Sequence, residues 1–84
     1  MTEKHDVRLK RLHMRSMRRG IKEMDIILSR FADARLAQMS GGDLDRYEVL
    51  LNENDQDLYQ WVTGQVAPPA AYAELIKESR LSLG

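Results

Sequence analysis

The chain has no cysteine, and its 84 residues include only two prolines, one phenylalanine and one tryptophan. Without cysteine there is no disulfide framework and no thiolate metal site, a composition that suits a reducing compartment. Its two histidines, His5 and His13, have no carboxylate partner at a spacing that would make a metal site. No long uncharged apolar run is present, so neither a signal peptide nor a membrane span is expected, and the expected location is the cytoplasm of a bacterium. Nor is there a surplus of either charge: thirteen basic residues balance thirteen acidic ones. At this length one domain, residues 1–84, is expected, and a domain so small buries only about 60% of the surface its unfolded chain exposes. An enzyme with its own cleft and cofactor is therefore disfavoured. No nucleophile with a plausible base and no metal-ligand cluster appears either, so no catalytic, metal or cofactor-binding residue is assigned. These absences favour a module that works through its surface.

What the sequence does contain is an uneven charge order and a helical rhythm. Up to Lys22, the basic residues Lys4, Arg8, Lys10, Arg11, Arg15, Arg18, Arg19 and Lys22 face only Glu3 and Asp6; from Glu23 to Ala67 acids predominate. Such an asymmetry bears on partner choice and says little about fold. The apolar spacing reads as helix nearly throughout. A first helix is expected from a cap at Asp6 to about Arg19, with Gly20 as its stop. Ile21, Met24, Leu28, Phe31 and Leu36 mark a second. Ser40 with Asp43 resembles a capping box opening a third, whose Leu44, Tyr47, Leu50 and Leu51 share a face. A cap at Asn54 or Asp55 starts a fourth, carrying Leu58, Trp61 and Val62 and ending at Gly64. Pro68 and Pro69 break the chain and begin a fifth, with Tyr72, Leu75 and Ile76 on one side. The fold expected is all-α, a compact five-helix bundle with short connections.

One stretch, MRRGIKEMD at residues 17–25, stands out. Local structure explains much of it. Gly20 could supply a left-handed backbone, Arg18 and Arg19 could complement the negative end of the first helix, and Glu23 could favour the first turn of the second. The density of arginine exceeds that need. Arg15, Arg18 and Arg19 cluster beside a residue without a side chain, so another protein's backbone could approach while guanidinium groups bind its carboxylates or carbonyls.

RSMRRGIKEMD, with an Arg-Gly-x-x-Glu core at Arg19, Gly20 and Glu23, followed by YEVLLNENDQDLYQWVTG, resembles the SdhE family of succinate dehydrogenase flavinylation factors over about residues 11–64. The resemblance implies a small helical assembly factor that binds the flavoprotein subunit of succinate dehydrogenase, and in some members fumarate reductase. Such a factor promotes covalent attachment of FAD to a histidine of that subunit. It implies that FAD is attached to the partner and that no cofactor is stably bound by the factor, a monomer when free. The family motif carries over to Arg19, Gly20 and Glu23 as the partner-contact face; adjacency adds Arg15, Arg18 and Asp25.

Other residues have plainer readings. Trp61 shares a helical face with Leu58 and Val62 and reads as core. Asp55 and Asp57 read as capping acids rather than an acid/base pair. Met14, Met17, Met24 and Met39 read as gap-fillers more readily than as an adaptable binding surface. The rival function is a small helical nucleic-acid-binding protein that uses its basic first helix. Zero net charge, the nearby Glu23 and Asp25 and an apolar second helix count against it.

Overall fold

The computed structural model describes residues 4–81. Five α-helices follow one another: α1 (His5–Ser16), α2 (Lys22–Arg35), α3 (Gly41–Leu50), α4 (Asp55–Thr63) and α5 (Ala73–Leu81). Single 3-10 turns, Leu36–Gln38 and Ala70–Tyr72, follow α2 and precede α5, and no strand occurs among the described residues. This is the all-α, five-helix architecture that the apolar spacing predicts.

The core follows from those spacings. Met24, Ile27, Leu28, Phe31 and Ala32 make one side of α2 almost wholly buried. Around it close Leu12 of α1, Leu44, Tyr47 and Leu50 of α3, Leu58, Trp61 and Val62 of α4, and Leu75 and Ile76 of α5. Phe31 and Tyr47 meet with ring centroids 5.2 Å apart, and Trp61 meets Tyr72 at 5.8 Å. Both separations suit tilted aromatic pairs. The methionines divide: Met24 and Met39 fill the core, whereas Met14 and Met17 are exposed.

Helix ends set by neighbouring residues fall where the sequence places them. The Ser40 hydroxyl accepts from the Asp43 N–H at 3.2 Å, and the Asn54 side-chain Oδ1 accepts from the Gln56 N–H at 2.8 Å. Each satisfies an amide that the first helical turn leaves unpaired. Gly64 ends α4 with φ 83°, a conformation glycine adopts without steric cost. The same end is closed from outside: Arg80 of α5 donates Nε–H to the Val62 carbonyl at 2.6 Å and a terminal N–H to the Trp61 carbonyl at 2.7 Å.

Both boundaries of α1 differ from the sequence reading, and α5 begins at Ala73, with the Ala70–Tyr72 3-10 turn between it and the prolines expected to start it. Helix α1 starts at His5, ahead of Asp6, whose carboxylate only accepts from the adjoining Val7 N–H at 3.0 Å. It ends at Ser16, three residues before Arg19, because the chain turns at Arg18, which takes φ 55°. The left-handed residue is thus Arg18, and Gly20 has no positive φ. An L-residue disfavours this region by roughly 1–2 kcal/mol. Here the Arg18 N–H is held by the Asp25 carboxylate at 2.8 Å.

The basic side of α1 packs toward acids of α3. Arg8 pairs with Asp45 and also reaches Glu48 at 3.3 Å; Arg11 grips both Glu48 oxygens at 3.1 Å; Arg15 donates to the Asn52 side chain. Partner numbers rise together along the two helices, so α1 and α3 run parallel. Between them, the buried Ser16 and Tyr47 hydroxyls lie 2.6 Å apart. The Glu48 carboxyl is held below its usual range, chiefly by its hydrogen bond from Arg11, with the charges of Arg11 and Arg8 adding to the effect against the opposing cost of desolvation.

Candidate protein-interaction site

Among the described residues there is no pocket and no group of three His, Asp or Glu side chains suited to a metal, and no helix is long and apolar enough to cross a membrane. The six residues singled out by the sequence lie at one end of the bundle, on the last turn of α1, the α1–α2 turn and the first turn of α2.

Their roles differ. Arg19 is not an exposed cation. Its side chain is only 12% exposed, and it donates Nε–H to Asp55 Oδ1 at 2.8 Å, one terminal N–H to the Arg15 carbonyl at 3.0 Å and the other to the Leu51 carbonyl at 3.1 Å. Those carbonyls belong to the C-terminal ends of α1 and α3, where the last peptide groups lack helical partners and the helix dipole is negative. Gly20 is exposed, and its N–H donates to the other Asp55 oxygen at 2.6 Å. A Cβ on Gly20 would sit 3.0 Å from that oxygen. Glycine is therefore favoured by close approach of a carboxylate rather than by a left-handed backbone.

Asp25 faces inward as well, accepting from the Arg18 N–H and, at 3.3 Å, from the Ser29 hydroxyl. Arg15 is engaged with Asn52. That leaves the guanidinium of Arg18 and the carboxylate of Glu23, both exposed and without a hydrogen bond or ion pair among the described residues. Exposed Met17, Gly20 and Lys22 lie beside them in the chain. The arrangement can offer a partner one cation, one anion, apolar surface and accessible backbone, on a turn whose own backbone is fixed.

Sequence reasoning missed Asp55. It lies 36 residues from Arg19 and reads locally as a capping acid, yet Asn54 supplies the cap and Asp55 bonds back to the turn. An unoccupied second acid beside an adequate cap is the one signal that could have pointed to it. The same structure weakens the nucleic-acid alternative, since Arg8 and Arg11 are turned to α3 and Arg15 to the turn after it rather than offered to phosphate.

The family model described as flavinator of succinate dehydrogenase matches residues 10–80. The chain belongs to that family. The match runs into α5, past the 11–64 stretch whose motifs carry the resemblance. Among curated proteins, those named succinate dehydrogenase assembly factor 2, mitochondrial, are similar to it. The one from Lodderomyces elongisporus is 50% identical over 58 residues, which are 69% of this chain and 35% of that protein. The one from Candida glabrata is 46% identical over 63 residues, 75% of this chain and 41% of that protein. For Komagataella phaffii the figures are 48% over 59 residues, 70% and 31%. The matched part thus spans only about a third to two fifths of these family members. Their names also overturn the expectation of a bacterial cytoplasmic location: these relatives are fungal and are named mitochondrial.

Proposed function

We propose that this protein is an assembly factor that binds the flavoprotein subunit of succinate dehydrogenase and promotes covalent attachment of FAD to it. It contributes no reacting group and holds no FAD of its own. The observation that carries the reading is the α1–α2 end of the bundle, where the Arg18 guanidinium and the Glu23 carboxylate, without partners among the described residues, flank an exposed glycine on a fixed turn, in a chain of the flavinator family.

Covalent flavinylation requires the isoalloxazine, the accepting histidine and nearby acid/base groups of the client to be held in reactive arrangement, and positioning alone can lower a barrier by several kcal/mol. A helper achieves this by binding the competent conformation of its client more tightly than the others, which shifts the population toward it. Arg18 and Glu23 supply the charges for that discrimination, and the lack of a side chain at Gly20 lets the client's backbone come close. The protein acts as a monomer, and the flavoprotein subunit of fumarate reductase is a second client to test.

The experiment combines the purified protein with apo flavoprotein subunit, FAD and a dicarboxylate, and follows covalent flavin by fluorescence of the denatured subunit. Labelling should be faster with the protein present and should slow with Arg18→Ala or Glu23→Ala, whose side chains are solvent-facing and contribute little to folding. Unchanged labelling with both variants would remove this end of the bundle from the function.

A further inference from the structure

Arg19 and Gly20, two of the three residues that carry the family pattern, turn their polar groups into their own molecule. One carboxylate collects both: Asp55 Oδ1 accepts from the Arg19 guanidinium at 2.8 Å, and Asp55 Oδ2 accepts from the Gly20 N–H at 2.6 Å. Arg19 and Asp55 side chains are only 12% and 18% exposed, and the remaining arginine bonds go to the ends of α1 and α3. The C-termini of two helices, the start of a third and the turn therefore converge on one ion pair. For Arg19 to reach a client it would have to abandon Asp55 and two helix-end carbonyls together, leaving a largely buried carboxylate with only the Gly20 amide.

We propose that Asp55 is a positioning residue for client binding. Its carboxylate fixes the Arg19–Gly20 turn so that Arg18 and Glu23 are presented in one arrangement, and Arg19 acts through Asp55 without touching the client. This rests on the reading that the α1–α2 end binds the flavoprotein subunit. It moves the contact from the arginine of the motif to its neighbour in sequence, and it brings α4 into a site that otherwise consists of α1 and α2.

The discriminating variant is Asp55→Asn, which keeps shape and leaves Arg18 and Glu23 untouched. One carboxylate oxygen becomes an NH2 group, which must face either the Gly20 N–H or the Arg19 guanidinium, donor against donor. The assay titrates the protein into apo flavoprotein subunit with FAD and records two quantities: the concentration giving half-maximal covalent labelling, and the rate at saturation. If the turn holds its arrangement in about one molecule in ten without the carboxylate, the half-maximal concentration rises about tenfold while the saturating rate is kept. Circular dichroism at the assay temperature shows the variant folded, and the Gly20 amide proton resonance moves as its hydrogen bond is lost.

Arg19→Lys is the second variant. It keeps the charge a client carboxylate would need but cannot hold Asp55, Arg15 and Leu51 at once, so it should raise the half-maximal concentration as Asp55→Asn does. Arg19→Ala added to Asp55→Asn should cost nothing further, whereas Arg18→Ala should add its full effect. A wild-type half-maximal concentration in either Asp55→Asn or Arg19→Lys overturns the proposal, as does an undiminished Arg19→Ala effect in the Asp55→Asn background, which would mean direct contact. Loss of the saturating rate alone overturns it too. If Arg18→Ala and Glu23→Ala leave labelling untouched while Asp55→Asn impairs it, the contact reading fails instead and the turn serves something else.

Discussion

Replacing Ser16 by alanine should destabilise the protein more than replacing Tyr47 by phenylalanine, although both changes break the same hydrogen bond. The Ser16 hydroxyl lies 2.8 Å from the Leu12 carbonyl and 2.6 Å from the Tyr47 hydroxyl, and both residues are fully buried. A carbonyl can only accept, so the single serine proton goes to Leu12 and the proton shared with Tyr47 is the tyrosine's. Tyr47→Phe therefore removes a donor and leaves serine with its own donor satisfied, a loss of about 0.5–1.5 kcal/mol. Ser16→Ala leaves a tyrosine O–H buried with no acceptor, at about 1–3 kcal/mol. The double variant should recover much of the Ser16→Ala loss, since the orphaned group goes with it. Urea unfolding followed by Trp61 fluorescence reads this directly, because Trp61 is the chain's one tryptophan and is buried. With a slope on the order of 1 kcal/mol per M, the Ser16→Ala midpoint should fall by about 1 M or more. A Tyr47→Phe loss equal to or greater than the Ser16→Ala loss would refute the proton assignment. The contact matters for the site because Ser16 is the last residue of α1, from which the candidate turn departs.

Gly20→Ala has no left-handed backbone to violate, and alanine gains about 0.4–1 kcal/mol by restricting the unfolded chain. Its Cβ, however, would press at 3.0 Å on an Asp55 oxygen that cannot move without loosening Arg19. A net loss of about 1 kcal/mol is expected in the same unfolding assay, with Gly20→Val worse; a more stable Gly20→Ala would show that the close approach does not select glycine. Stability should also fall at both ends of the pH scale. The depressed Glu48 carboxyl contributes stability above its ordinary value of 4.5 that is lost as pH drops through and below it. Burial pushes the Tyr47 phenol up from 10.0 to about 12, so its contribution is whole below pH 10 and is lost between 10 and 12. Glu48→Gln should flatten the acid limb and Tyr47→Phe the alkaline limb of unfolding midpoint against pH.

The caps at Ser40 and Asn54 and the stop at Gly64 were legible in the sequence because each involves atoms within a few residues of one another. Apolar spacing likewise identified Trp61 as a core residue beside Leu58 and Val62. The end of α1 was not legible. Local chemistry assigns a positive φ to glycine and exposure to arginine, yet here Arg18 takes the positive φ and Arg19 is the sheltered one. The cause lies far along the chain, in the Asp55 carboxylate and the Leu51 carbonyl. No pattern of neighbours encodes that distance. For the same reason the sequence grouped Arg15, Arg18 and Arg19 as one basic cluster, whereas among the described residues the guanidinium groups of Arg15 and Arg19 have internal partners and that of Arg18 has none.

The arginines of α1 stand at positions 8, 11 and 15, and their partners at 45 and 48 on α3 and at 52 in the turn that follows it, so both sides of the ladder have the same intervals. Two rulers with one irregular set of marks coincide fully in a single alignment. Sliding α1 by three or four residues would match only part of the marks, and reversing its direction would invert the intervals. Exposed ion pairs add little stability individually, but this pattern penalises every other docking of the first helix. The ladder thus acts as a register key, determining at which level of the bundle α1 stops and hence where its turn projects.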